Sequence, residues 1–299
     1  RWLRLVLLPV LLTGCISSGV AAEIPLENRL AVPATSIPPA LQPLRPTFTA
    51  AVFDLKSTST PLPTWTPLPT GQVTGYGPSG FPPGINPLTG LEAEQRENLE
   101  RRPLAIKVTN FPRSVRPQWG LTLADHVYEY YMETGLTRFI AVFYGRNAER
   151  VGPVRSGRFF DEHVIRMYKA ILAFASADYR VLDVWADKES DIRNYLVLER
   201  PDNCPPLCRI GSDKQYNTLY ADTQALSRYI SERGTSNTRQ SLDGFRFEKT
   251  MPFRGLDGQR IDLRFSRISY HRWEYDPVTR RYLRSQEAAE DDEGPAVYE

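Results

Sequence analysis

Arg155-Ser156-Gly157-Arg158 is the stretch of this 299-residue chain whose residue types best fit ligand chemistry. Val164, Ile165 and Tyr168 follow at helical spacing, so a helix is predicted from Ser156 to Lys169 with Ser156 as its cap. A helix start leaves backbone amides without partners and adds the positive end of the helix dipole. Arg155 and Arg158 would flank that point and grip a carboxylate or phosphate through paired N–H groups. Arg138 is expected nearby, in the preceding hairpin. The expected ligand-binding set is therefore Arg138, Arg155, Ser156, Gly157 and Arg158. The same arginines have a structural use open to them, pairing with Glu129, Glu133 or Asp161. Glu129 and Glu133 are the alternative catalytic pair. In strand periodicity they share a face with Tyr131, and two facing carboxyl groups can act as acid and base in a hydrolase.

Other reactive side chains give less. His126, His163 and His271 fall in separate elements and form no metal-binding motif. No Gly-x-Ser-x-Gly elbow accompanies Asp125-His126, so a serine hydrolase is not expected. No cofactor and no metal are expected. Cys204 and Cys208 enclose Pro205-Pro206-Leu207. Outside the cytoplasm they are predicted to form a disulfide. Two cysteines without nearby partners make no zinc site.

The elements that must position these groups are readable from the pattern. Leu104 to Val108 reads as a strand. Val127 to Met132 and Arg138 to Tyr144 read as a hairpin around Thr134-Gly135-Leu136. A buried strand is predicted over Ala170 to Ala175 and a short helix over Tyr179 to Trp185. A further helix is predicted from Leu219 to Arg233, capped by Asn217 or Thr218 and ended by Gly234. From Phe245 onward the texture becomes β-rich. Ile261 to Phe265 alternates, and Asp276-Pro277-Val278-Thr279 joins two more strands. The expected fold class is α+β, with layered sheets and helices followed by a smaller β-rich unit.

Composition sets the compartment. Arg1 and Arg4 precede an apolar run that ends at Leu12-Thr13-Gly14-Cys15. This is the layout of a secretory signal peptide over residues 1–14, with Cys15 placed for acylation as in bacterial lipoproteins. The chain has 37 basic and 35 acidic residues. Residues 1–14 hold two arginines and no acid, so the remainder balances at 35 against 35. A neutral chain has no general attraction to nucleic acid or to anionic membranes, so lipid on Cys15 is the expected membrane contact. Residues 15–84 read as a proline-rich linker with a near repeat of Pro-Leu-Pro-Thr at 61–70. A linker of about 70 residues would span on the order of 50 Å when coiled and about 200 Å when extended. The expected organisation is then an α+β domain over 85–238 and a β-rich unit over 239–299. The expected location is the outer side of the cell membrane. The expected partners are the membrane and an anionic small molecule or a cell-envelope component, with no nucleic acid.

Several motifs in order carry a family resemblance. They are Asn86-Pro87-Leu88-Thr89-Gly90, Arg102 to Asn110, Arg116 to Leu121, Ala124 to Glu129, Glu133 to Phe139 and Gly152 to Arg158, then Trp273-Glu274-Tyr275-Asp276. Over roughly residues 85–286 the chain resembles the YerB-like bacterial lipoproteins. That resemblance implies an α+β fold with layered sheets and helices. It implies no activity, because the family is one of unknown function.

Overall fold

The computed structural model describes residues 75–211, 217–250, 255–289 and 298. The predicted signal peptide, Cys15 and the linker up to residue 74 lie outside the described residues.

The chain order begins with the two-residue strand β1 (Gly75–Tyr76). Next comes β2 (Leu104–Thr109), buried at all six positions. A strand with both faces covered needs apolar residues on both, and Leu-Ala-Ile-x-Val supplies them around one lysine. Leu104, Ile106 and Val108 enter one core cluster, while Ala105 enters the other. The hairpin of β3 (His126–Tyr131) and β4 (Thr137–Phe143) follows, with Tyr130 opposite Arg138. Then come α1 (Phe159–Tyr168), β5 (Ile171–Phe174), α2 (Tyr179–Ala186), β6 (Leu196–Leu198), β7 (Leu207–Arg209), β8 (Leu219–Ala221) and α3 (Thr223–Glu232). The last strands are β9 (Phe247–Glu248), β10 (Arg260–Ser266), β11 (Ser269–Asp276) and β12 (Arg281–Gln286).

Five strands form the main sheet in the order β3-β4-β2-β5-β6. β2 runs antiparallel to β4 and parallel to β5, and β5 is parallel to β6. One face packs against α1 and α2 through Val164, Ile165, Tyr168, Val181 and Trp185. The other packs against α3 and the β7–β8 pair through Leu226, Ile230, Leu207 and Leu219. A separate antiparallel sheet, β10-β11-β12, follows. The architecture is α+β.

Two helix boundaries differ from expectation. α1 starts at Phe159, with Arg158 rather than Ser156 in the cap position. Residues 154–157 are drawn into the sheet instead. Val154 bridges Val108, Arg155 N–H donates to the Lys107 carbonyl at 2.9 Å, and Gly157 N–H donates to the Ser176 carbonyl at 2.7 Å. Ladder bonds thus hold the amides that a helix start would have left open. Leu219 to Ala221 is strand β8, not helix. Leu219 and Ala221 alternate into the core, so side-chain burial overrides helical spacing there. Asp222 then caps α3, accepting from the Ala225 amide at 2.8 Å.

Candidate functional site

β2 places Lys107 under the first turn of α1. Its ammonium donates to Asp161 Oδ1 at 2.9 Å and to the Tyr130 hydroxyl, and both side chains of the Lys107–Asp161 pair are fully buried. Tyr130 also donates to Asp161 Oδ1 at 2.7 Å, and Arg158 N–H donates to Oδ2 at 2.9 Å. Asp161 therefore serves as helix first-turn acid, ion-pair partner and acceptor for a tyrosine. Burial pushes the Lys107 ammonium down to about 8 against the pull of Asp161, with Arg138 and Arg158 adding to the depression.

Arg138 lies on the same sheet face, opposite Thr109 on β2. Its Nη1 donates to the Ser156 carbonyl at 2.8 Å. Burial lowers its guanidinium to about 10, and the like charges of Arg158 and Arg155 lower it further. Arg138 and Arg155 line a cavity of about 340 Å³ together with Phe111, Met132 and Leu136. Arg158 is held beside it by Glu133, Nε to Oε1 at 2.8 Å. The structure thus brings the three arginines together electrostatically, without the helix start that was expected to join them.

The remaining expected ligand residues have other contacts. Ser156 Oγ lies 2.7 Å from Ser176 Oγ. A Cβ on Gly157 would come within 2.8 Å of the Trp185 ring, so the glycine admits that ring.

Glu129 and Glu133 do not form a facing pair. β3 ends at Tyr131, and Thr134 and Gly135 turn the chain with φ of 62° and 82°. Glu133 sits in that turn with Arg158. Glu129 points to the other sheet face, into the seam with β11 and β12. Its Oε2 meets His271 Nε2 at 3.1 Å and Arg284 Nη2 at 2.8 Å, and its Oε1 accepts from Thr137 at 2.7 Å. Burial raises this carboxyl, but His271, Arg284 and Thr137 together hold it below its ordinary value. Arg138, its expected partner, is engaged elsewhere. The histidines also stay apart. His126 Nδ1 meets the Tyr168 hydroxyl at 2.6 Å, His163 is exposed, and His271 belongs to the seam. Cys204 and Cys208 are joined, with Cα atoms 4.8 Å apart. Among the described residues no cluster of histidine, cysteine and carboxylate groups could hold a metal, and no helix is long and apolar enough to cross a membrane.

Sequence reasoning passed over Lys107 and Tyr130. A lysine amid Leu-Ala-Ile and Val in a fully buried strand was the available signal, since such residues enter cores only when paired.

Residues 88–236 match a family described as "Protein of unknown function (DUF3048) N-terminal domain". A 72-residue stretch is 53% identical to "Putative lipoprotein YerB" of Bacillus subtilis (strain 168). That match covers 24% of this chain and only 21% of the relative. The crystal structure of YerB protein from Bacillus subtilis aligns with a TM-score of 0.56 at 24% identity, over 71% of each chain, which shows a shared fold. The fold and the match over 88–236 define an α+β domain of a family without an assigned function. Residues 88–236 carry the N-terminal domain of that family, and the chain is similar to the YerB proteins.

Proposed function

We propose that this protein is a lipid-anchored extracytoplasmic binding module whose cavity at Arg138 and Arg155 receives an anionic ligand or an anionic group of an envelope partner. The observation that carries the reading is the convergence of guanidiniums on that cavity. Three guanidiniums converge beside the buried Lys107, and Arg138 is lowered to about 10 by burial and by its two neighbours. Glu133 holds Arg158, and Asp161 holds Lys107. An incoming carboxylate or phosphate would relieve that repulsion and accept paired N–H groups. Separation of Glu129 from Glu133 leaves the hydrolase alternative without a supporting contact.

The anchor rests on Leu12-Thr13-Gly14-Cys15 and on the similarity to a Bacillus protein named a putative lipoprotein. The pairing of Cys204 with Cys208 fits an oxidising compartment. Calorimetric titration with inorganic phosphate, pyrophosphate and citrate tests the cavity. The Arg138→Ala and Arg155→Ala variants should lose binding while their melting temperature shows that they fold. Equal binding by wild type and variants to every probe sinks the reading. Mass spectrometry of the mature N-terminus tests the anchor, and an unmodified Cys15 removes it.

A further inference from the structure

β6 is an edge strand of the main sheet, and its two outward residues are chemically unlike an ordinary edge. The Glu199 amide donates to the Phe174 carbonyl at 3.0 Å. In a parallel pair alternate residues turn both backbone groups to the same side, so Val197 and Glu199 face β5, and Leu196 and Leu198 face away from it. The outward carbonyls are already occupied. Arg233 Nη1 donates to Leu196 O at 3.2 Å, and Asn203 Nδ2 donates to Leu198 O at 2.8 Å. What this edge still offers is N–H donors. A strand-adding peptide needs donors and acceptors in alternation, so the capped carbonyls disfavour it.

A cavity of about 680 Å³ lies along this edge, in the size range of small-molecule sites. It straddles the sheet between α2 and α3. Leu182 lines it from one side, over the buried Phe174 and Trp185, and Tyr229 from the other. Arg193, Arg200 and Arg233 also line it, and among the described residues no acidic side chain does. Arg233 stacks near the Tyr229 ring, its guanidinium carbon 5.6 Å from the centroid. The Arg193 and Arg200 side chains make no hydrogen bond or ion pair among the described residues. Three cations around an apolar floor, with outward amides beside them, form a field of one sign in a partly desolvated groove.

We infer that this groove is a second binding site, for an amphiphilic anion: an apolar or aromatic body carrying a carboxylate, sulfonate or phosphate. The body lies against Leu182, Leu198 and Tyr229. The anionic group meets Arg193 and Arg200 and the outward amide of Leu198. This site is independent of the cavity at Arg138, which lies on the far side of β2 in the sheet order.

The test uses the full chain with Cys15→Ser, so that no acyl chain of its own competes. The probe is 8-anilinonaphthalene-1-sulfonate, followed by its fluorescence, against N-phenyl-1-naphthylamine, which has the same rings and no charge. Wild type should bind the sulfonate saturably with one equivalent and the neutral probe far more weakly. Arg193→Gln/Arg200→Gln should weaken sulfonate binding by about tenfold or more, because two charge-assisted hydrogen bonds are lost. Since neither side chain bonds to the fold, the melting temperature should hold. Octyl phosphate or phosphatidylglycerol vesicles should displace the probe. Displacement by octyl phosphate alone identifies a free anion as the source, and displacement by vesicles identifies a lipid headgroup. Equal binding of the two probes, an unaffected double variant, or no displacement by either competitor overturns the inference. Arg138→Ala should leave all of these readings unchanged, which separates this site from the other cavity.

Discussion

Glu129 and Tyr130 are neighbours on β3, yet they belong to two buried polar clusters with opposite electrostatic outcomes. Tyr130 faces α1 and joins Lys107 and Asp161. Glu129 faces the β10-β11-β12 sheet and joins Arg284, His271 and Thr137. In the first cluster burial dominates, and the Lys107 charge is disfavoured down to about 8 despite a direct ion pair. In the second the partners dominate, and the Glu129 charge is favoured. The difference lies in the neighbours. Lys107 has one carboxylate and two repelling arginines, whereas Glu129 has a cation, an imidazole and a hydroxyl, all able to donate. A buried charge gains from its surroundings only where enough of them oppose its sign and complement its hydrogen-bonding character.

The sharpest way to break the first cluster is to remove one half of it. Asp161→Ala strands Lys107 without its carboxylate and removes the acceptor of Arg158 N–H. Destabilisation of about 3–5 kcal/mol is expected in urea or guanidinium unfolding. The double change Lys107→Met/Asp161→Leu should recover most of that loss, since apolar replacement of a buried pair is often neutral or stabilising. A double variant as unstable as the single one would mean that the pair itself holds the fold.

Glu129→Gln should cost less, about 1–3 kcal/mol, because Thr137 keeps an acceptor while Arg284 and His271 lose a charge. Arg116 and Glu287 form a second buried ion pair tying residue 287, just past β12, to the main unit. The expected signature is therefore local, with faster amide hydrogen exchange in β11 and β12 and little change in β2. Uniform acceleration throughout the chain would contradict a seam of this kind.

The two clusters also predict pH effects of opposite sense. The Lys107 ammonium falls from 10.5 unfolded to about 8 folded, so the unfolded chain binds more protons between those values. Its contribution to stability should rise as pH climbs from about 8 toward 10.5, and this rise should vanish in Lys107→Met/Asp161→Leu. Glu129 is lowered when folded, so its contribution is present above the ordinary carboxylate value of 4.5 and fades as pH falls through its folded value. Glu129→Gln should flatten the acid side only. Denaturant midpoints taken across pH separate the two, and an alkaline rise that survives the double change would refute the Lys107 assignment.

The sequence made the strands legible where burial and alternation coincide, as in β2, β4 and β10. It misplaced both helix starts for one reason. Ser156 and Asn217 are good caps in isolation, but the residues after them pair as sheet before any helix begins, and tertiary pairing outranks a local signal. The arginines of the candidate site were readable as types, and the hairpin turn placed Arg138 among them. Lys107 and Tyr130 were not readable as a pair. Their contact depends on the β3-β4-β2 order and on α1 crossing above it, neither of which is encoded in sequence spacing. The edge site at Arg193, Arg200 and Arg233 is further from sequence reach, since it joins the segments on either side of β6 to the end of α3.

The smallest predicted effect separates fold from site most cleanly. Glu133 is largely exposed and its ion pair with Arg158 is screened by water, so Glu133→Gln should change stability by only about 0–1 kcal/mol. The same change removes the carboxylate that holds Arg158 beside the Arg138–Arg155 cavity and leaves Asp161 in place beneath it. An anion in that cavity would then face three guanidiniums with one fewer competitor. Phosphate affinity should therefore rise slightly while the melting temperature stays put, and the gain should shrink as salt is added. Glu129→Gln, on the opposite sheet face, should do the reverse and lower stability without altering phosphate affinity. If Glu133→Gln weakens phosphate binding instead, Glu133 positions Arg158 for the ligand rather than competing with it, and the ion pair belongs to the site.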